Sequence, residues 1–212
     1  MLSSRALFDI LYKEMGPLHW WPAESEIEMM TGAILVQNTN WNNVERSLLN
    51  LKAKTNFEAD RITALSIEKL QELIRPSGFY KNKSKALMAL FNWLETFDYQ
   101  YDEIDKKWGS ELRQTLLSLH GIGPETADVL LVYLFGRVEF IPDSYTRRLY
   151  RQLGYSHTES YNKFKKEVQI DDFTNAEAKE FHGLLDEFGK RYLTTKAKDE
   201  DHFLKSFFVD DI

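Results

Sequence analysis

The chain has no cysteine. That absence excludes disulfides, thiolate zinc sites and cysteine-ligated iron–sulfur clusters. No run of apolar residues reaches the roughly eighteen needed to cross a bilayer, so nothing reads as a membrane span. The N-terminus, Met1-Leu2-Ser3-Ser4-Arg5-Ala6-Leu7-Phe8-Asp9, lacks the apolar core of a signal peptide, and the expected location is cytoplasmic. An excess of positive charge is missing too: 27 Lys and Arg stand against 33 Asp and Glu, a net charge of −6. Phosphate neutralisation needs Lys and Arg, so the sum argues weakly against nucleic acid. Placement qualifies the sum. Arg75, Lys81, Lys83 and Lys85 occupy a stretch without an acid, whereas Asp199, Glu200, Asp201, Asp210 and Asp211 crowd the end of the chain. That acidic tail reads as a solvated, partly disordered end.

Strand periodicity is also nearly absent; Val138 to Ile141 is the one strand-like run. There is no internal repeat and no low-complexity linker. The 212 residues, 43% apolar and 28% charged, suit one large or two small globular domains. What fills the chain is helical periodicity. Stripes at Ala6-Leu7-Ile10-Leu11, Ile27-Met30-Ile34-Leu35 and Val44-Leu48-Leu51 predict helices. Leu65 to Ile74, Ala86 to Leu94 and Leu112 to Leu119 predict further ones. Asn40 is positioned as an N-cap, Pro76-Ser77-Gly78 as a stop, and Thr174-Asn175-Ala176-Glu177 as a capping box. Val129 to Leu134 is apolar on nearly all sides, as in a buried helix. The reading is all-α, about ten helices joined by short loops.

Residues 119–128 read Leu-His-Gly-Ile-Gly-Pro-Glu-Thr-Ala-Asp. Gly121 and Gly123 suit a turn that needs positive φ or a close backbone approach, and Pro124 suits the first turn of a helix. Such a turn can aim backbone amides at a phosphate; an ordinary helix–turn–helix with a glycine cap fits the local pattern as well. Asp143, in Ile-Pro-Asp-Ser-Tyr, precedes a helical run and fits an N-cap. A capping carboxylate that also faces a cleft can be catalytic.

Leu-x-Gly-Ile-Gly-x-x-Thr-Ala-Asp, followed by Asp143 eighteen residues beyond Glu125, resembles the helix-hairpin-helix DNA glycosylase superfamily of endonuclease III and adenine glycosylase. Ile34-Leu35-Val36-Gln37-Asn38-Thr39 is similar to that family's L-x-x-Q-x-T helix end. Gly78-Phe79-Tyr80-Lys81-Asn82-Lys83 with Ser84 and Lys85 is similar to its G-[FLY]-Y-x-x-K-A segment. The resemblance runs from about residue 25 to about 193 in the family's order.

The resemblance implies that Gly121, Ile122, Gly123, Glu125 and Thr126 meet a lesion-flanking phosphate, with Lys81, Lys83, Lys85 and Arg147 as further DNA contacts. It implies that the carbonyls of Leu117, Leu119 and Ile122 can hold a monovalent cation, that Gln37 approaches the gap left by a flipped nucleotide, and that Asp143 stabilises the cationic sugar and orients water. Two departures refine this. Relatives that cut the strand carry a Schiff-base lysine where Glu125 stands here, so a monofunctional enzyme is expected. Leu185 to Tyr192 looks like the helix before the four-cysteine cluster loop of endonuclease III, yet Lys196, Lys198 and the acidic tail follow, without a cluster.

His19-Trp20-Trp21-Pro22 and Trp41 are unusual. Indole faces hold flipped bases and attract cationic alkylated purines. Together with the hairpin and Arg-Pro-Ser-Gly-Phe-Tyr elements, they make the chain most similar to the 3-methyladenine DNA glycosylase III branch. Trp20, Trp21, Trp41, Gln37 and Lys190 match its base pocket, although the Trp residues would equally suit core packing. The expectation is a glycosylase releasing alkylated purines from damaged double-stranded DNA, as a monomer, with no membrane association and no required cofactor. Oxidised pyrimidines or mismatched adenine as substrates, and a DNA-binding module without catalysis, remain alternatives. Residues 26–138 are expected to form a middle bundle with the hairpin, and residues 1–25 with 139–212 a second helical domain, the active site lying between them.

Overall fold

The computed structural model describes residues 2–21, 23–194 and 201–209. Among them are twelve α-helices: α1 (Ser4–Met15), α2 (Glu26–Leu35), α3 (Trp41–Thr55), α4 (Ala59–Thr63), α5 (Ile67–Ile74), α6 (Tyr80–Glu95), α7 (Tyr101–Trp108), α8 (Leu112–Ser118), α9 (Pro124–Tyr133), α10 (Ser144–Gln152), α11 (Tyr161–Glu167) and α12 (Asn175–Tyr192). The short α4, α7 and α11 are helices that apolar periodicity did not announce. Among the described residues no helix is long and apolar enough to cross a membrane. Lys196, Lys198, Asp199, Glu200, Asp210 and Asp211 lie outside the described residues.

Local chemistry sets the helix ends. Asn40 caps α3 by accepting the Asn43 amide, and Ser66 caps α5 by accepting that of Lys69. Thr174 and Glu177 form the reciprocal capping box of α12. α5 gives way at Arg75–Ser77 to a single 3₁₀ turn carrying Pro76.

The strand-like run at 138–141 forms no strand. It has no partner strand among the described residues; Lys165 Nζ donates to its Phe140 O at 3.0 Å and pairs with the Glu139 carboxylate at 2.6 Å, and Asn175 Nδ2 donates to Arg137 O just before it at 2.7 Å.

The chain folds as two compact units. Unit 1 comprises Met1–Trp21 and Gly136–Ile212. Leu7 and Leu11 of α1, Leu149 and Tyr150 of α10, Phe164 of α11 and Phe181 and Phe188 of α12 form its core. Each such side chain contributes about 1.5–3 kcal/mol when removed from water. The one polar atom this costs on Tyr150, its hydroxyl, is matched by Ser4 Oγ at 3.0 Å. Residues 201–209 lie against the same core: Phe203 and His202 pack edge-on against Phe188, and the Val209 amide donates to Gln152 O.

Unit 2 is Pro22–Phe135. Its core includes Met30, Ile34, Leu51, Leu87, Phe91, Leu94, Leu116 and Leu130, all fully or nearly fully buried. α9 is enclosed from Thr126 to Val132, including Asp128. That carboxylate is held by a two-pronged contact from Arg113 of α8, at 2.7 and 3.1 Å. A fully buried carboxylate survives only with such a partner. The pair therefore fixes α8 against α9 on either side of the hairpin.

Candidate functional site

In unit 2, α8 and α9 are joined by the turn Leu119–Gly123. Gly121 has φ +76°, and a Cβ there would sit 2.6 Å from Ala86 Cβ of α6. Both conformation and space thus demand glycine. Gly123 differs: its φ is −90°, and a Cβ would meet nothing within 4 Å. Nothing in the folded chain requires glycine at 123, whereas a molecule approaching the turn closely would. Pro124 occupies the first turn of α9, whose leading amides have no helical acceptor and sit at the positive end of the helix dipole.

This turn borders a cavity of about 590 Å³ lined by Gln37, Asn38, Leu117, Leu119 and Gly121 through Thr126. The residues expected to hold a cation, Leu117, Leu119 and Ile122, are thus gathered at one rim. The Leu119 carbonyl also accepts the Ile122 amide at 3.2 Å, which leaves its second lone pair for another ligand. Gln37 reaches the same place: its Nε2 donates to Gly121 O at 3.2 Å and Thr126 Oγ1 at 2.9 Å. Glu125 is exposed on the first turn of α9.

Of the basic residues near α6, Lys81 and Lys85 are exposed, as is Arg75. Lys83 is not. It is 3% exposed, and its Nζ donates to Leu35 O at 2.8 Å and Ser77 O at 2.6 Å. The expectation of a surface phosphate contact is corrected there: the lysine periodicity of the stretch puts residue 83 on the inner face of α6. Between the exposed cations stands Phe79, 66% exposed, with φ +47°. Sequence reasoning did not single out Phe79 as a candidate. An aromatic in the segment that stops a helix was the available signal.

In unit 1, Asp143 caps α10, its Oδ1 accepting the Thr146 amide at 2.7 Å. It is 8% exposed, and its Oδ2 lies 3.4 Å from His182 Nε2 on α12. Burial by itself pushes the carboxyl pKa up, but the hydrogen bond and charge of His182 and the Thr146 amide outweigh it and hold the group below the ordinary aspartate range. One turn further along α12, Asp186 is displaced upward by burial and by the charge of Asp143, against the pull of Lys190, with which it forms an ion pair. Lys190 Nζ sits 4.8 Å from the centre of the Trp20 ring. Trp20 lies so close to Gly183 that a Cβ there would come within 2.3 Å of it.

His182, Asp186 and Lys190, at i, i+4 and i+8 of α12, therefore form one polar face around Asp143. His182 and Asp186 were not anticipated, because nothing local marks a histidine and an acid inside an amphipathic helix. Among the described residues no cluster of His, Asp and Glu is arranged to hold a metal ion.

Trp20 and the half-buried Trp21, with φ +82°, belong to unit 1. Trp41, the half-buried first residue of α3, belongs to unit 2. Arg147 spends its guanidinium on backbone: it donates to Pro142 O at 3.1 Å and to Glu159 O at 3.2 Å. It braces the turn that presents Asp143 and stays half-buried.

Residues 31–189 match the family model of the HhH-GPD superfamily base excision DNA repair proteins. A Methanocaldococcus jannaschii protein named for an assigned DNA repair glycosylase role is 37% identical over 205 residues, which cover 95% of this chain and 93% of that protein. Endonuclease III of Sulfolobus acidocaldarius is 28% identical over 163 residues, 74% of this chain and 71% of that one. Among solved structures, the H. pylori 3-methyladenine DNA glycosylase bound to 1,N6-ethenoadenine superposes with a TM-score of 0.76 at 27% identity, covering 91% of this chain and 100% of that one. An endonuclease III–DNA complex at 21% identity, with a TM-score of 0.73 over 92% of this chain and 90% of that one, shares the fold.

Proposed function

The chain belongs to the HhH-GPD superfamily and is a DNA glycosylase of base excision repair, and from that premise we propose that it is monofunctional and hydrolyses the N-glycosidic bond of alkylated purines. The observation that carries the chemistry is Asp143: a buried carboxylate kept ionised by His182 and the Thr146 amide. An ionised carboxylate stabilises the oxocarbenium character of the sugar as the base departs and orients water for addition.

The hairpin amides and the positive end of α9 suit a phosphate flanking the lesion, and the open space at Gly123 allows a nucleic-acid backbone to come close. A monovalent cation on the carbonyls of Leu117, Leu119 and Ile122 would add positive charge there; the donor set, all neutral oxygens, suits such an ion. Lys81, Lys85 and Arg75 supply exposed charge beside Phe79. Glu125 has no amine with which to form a Schiff base, and Lys190 is ion-paired to Asp186, which supports base release without strand cleavage.

For the base, Trp21, in the same unit as Asp143, is the proposed aromatic contact, and the resemblance to a glycosylase solved with ethenoadenine supports a purine. One observation favours a second reading. The ammonium of Lys190 already lies on the Trp20 ring, and a cation there opposes a cationic base. Neutral bases, such as oxidised pyrimidines or mismatched adenine, would escape that repulsion. Base release from methylated, oxidised and mismatched duplexes, with Asp143→Asn as control, separates the readings. A stable borohydride-trapped adduct with lesion DNA would overturn monofunctionality.

A further inference from the structure

Lys83 is a buried ammonium that the proposed chemistry does not use. Its two acceptors belong to different segments. Leu35 is the last residue of α2, two before Gln37, and Ser77 lies in the 3₁₀ turn, two before Phe79. We propose that Lys83 is a positioning residue that holds the Gln37 turn and the Phe79 turn at a fixed spacing, so that both meet the DNA duplex as one surface. The inference rests on the DNA reading given above.

The neighbouring contacts point the same way. Gln37 is anchored on the hairpin through Gly121 O and Thr126 Oγ1. The Ser77 amide donates to Ser47 Oγ at 3.0 Å, and Ser77 Oγ donates to Ile74 O at 2.7 Å, so the turn before Phe79 is braced on α3 and α5. Lys83 joins these two assemblies. The hairpin, the Gln37 turn and the Phe79 turn thus become one connected group inside unit 2, linked by two side chains. A lysine suits this position for specific reasons. Its long stem reaches two carbonyls from one helix, its ammonium offers three donors, and Leu35 O lies at the negative end of α2. Phe79 needs such support, because a bulky residue at φ +47° costs on the order of 1 kcal/mol or more. Burial exacts a cost as well: it draws the Lys83 pKa down to about 8. A group kept charged against that cost is holding something in place.

Lys83→Met, similar in length and without donors, tests the tie. Two measurements on the full chain are needed: hydrogen exchange across 36–39 and 75–80, and affinity for a duplex carrying an uncleavable abasic-site analogue. The expected result is faster exchange in both segments at once and at least tenfold weaker duplex binding. Base release at saturating DNA should stay within about threefold of wild type. Lys83→Gln, which keeps two donors without the charge, should change both readings less and in the same direction. Leu87→Ala, a buried apolar truncation on the same helix, should lower the melting temperature yet leave duplex affinity within about twofold. Unchanged affinity in Lys83→Met, loosening confined to one segment, or equal loss of affinity in Leu87→Ala each overturns the proposal. Weakened binding by Lys83→Met beside tight wild-type binding supports the tie even if neither protein releases a base, an outcome that would overturn only the catalytic reading. A wild-type chain that binds no duplex overturns both.

Discussion

His182 Nε2 lies 3.4 Å from Asp143 Oδ2, and neither side chain has more than a small fraction of its surface in water. The contact gives α12 a direct hold on the residue that caps α10. It also makes an ordinary helix cap electrostatically special: a capping carboxylate on a surface helix has no such neighbour. Asp186, pushed up in part by the charge of Asp143, and Lys190, ion-paired to it, extend the same face. Glu139, which lines a small pocket with His182, is ion-paired to Lys165 at 2.6 Å.

Asp143→Asn should reduce base release by about a thousandfold or more, given the size of effects seen when one preorganised electrostatic group is lost. Asparagine caps helices as well as aspartate does, so the melting temperature and the affinity for an abasic-analogue duplex should hold. Parallel release, melting and binding assays read all three. A fold that collapses with the substitution would show that the cap, and not the chemistry, was measured.

His182→Leu removes the hydrogen bond and charge of His182 that hold the Asp143 carboxyl down, leaving burial opposed only by the Thr146 contacts. Release that depends on an ionised Asp143 should then fail at a higher pH on the acid side than in wild type. The stability linkage has the same sign: a depressed folded pKa contributes stability above the unfolded pKa, lost as pH falls through the folded one. The pH profile of single-turnover release, compared between the two proteins, checks this. An acid limb that does not move, or that moves down, contradicts it.

The two hairpin glycines should separate. Gly121→Ala meets both positive φ and the Ala86 side chain, and should destabilise the protein by about 2 kcal/mol or more. Gly123→Ser places a good N-cap residue into open space and should shift stability by less than about 0.5 kcal/mol. It should nonetheless weaken duplex binding, because the added atoms occupy the approach to the turn. Chemical denaturation and a binding titration on both variants decide the matter.

Lys83 should give the protein an unusual alkaline dependence. Its folded pKa, about 8, is below the free value of 10.5, so the unfolded chain holds more protons between those limits. Stability should therefore rise with pH in that window, with a slope of at most about 1.4 kcal/mol per pH unit. Above it, Tyr99, pushed up to about 12 by burial, acts in the opposite direction, since the folded chain then holds the extra proton. Urea midpoints between pH 7 and 9.5 should climb in wild type and flatten in Lys83→Met.

Much of this was written locally. The caps at Asn40, Asp143 and Thr174, the stop at Pro76 and the glycine turn are all interactions within four residues, and side-chain chemistry at that range determines them. Apolar periodicity located the long helices for the same reason, and the absence of cysteine ruled out a cluster without reference to any fold. Other features depended on which face of a helix meets which neighbour. Lys81, Lys83 and Lys85 look alike in sequence, yet only Lys83 of the three turns inward to two carbonyls, and Arg147 donates to the backbone of the turn that presents Asp143. His182 and Asp186 become partners of Asp143 only because α10 and α12 pack together across some forty residues of chain. Residue type and spacing determined the helices, the hairpin and the kind of chemistry available. Tertiary packing decided which charges are buried, and so which carboxylate is held ionised and which lysine serves the fold.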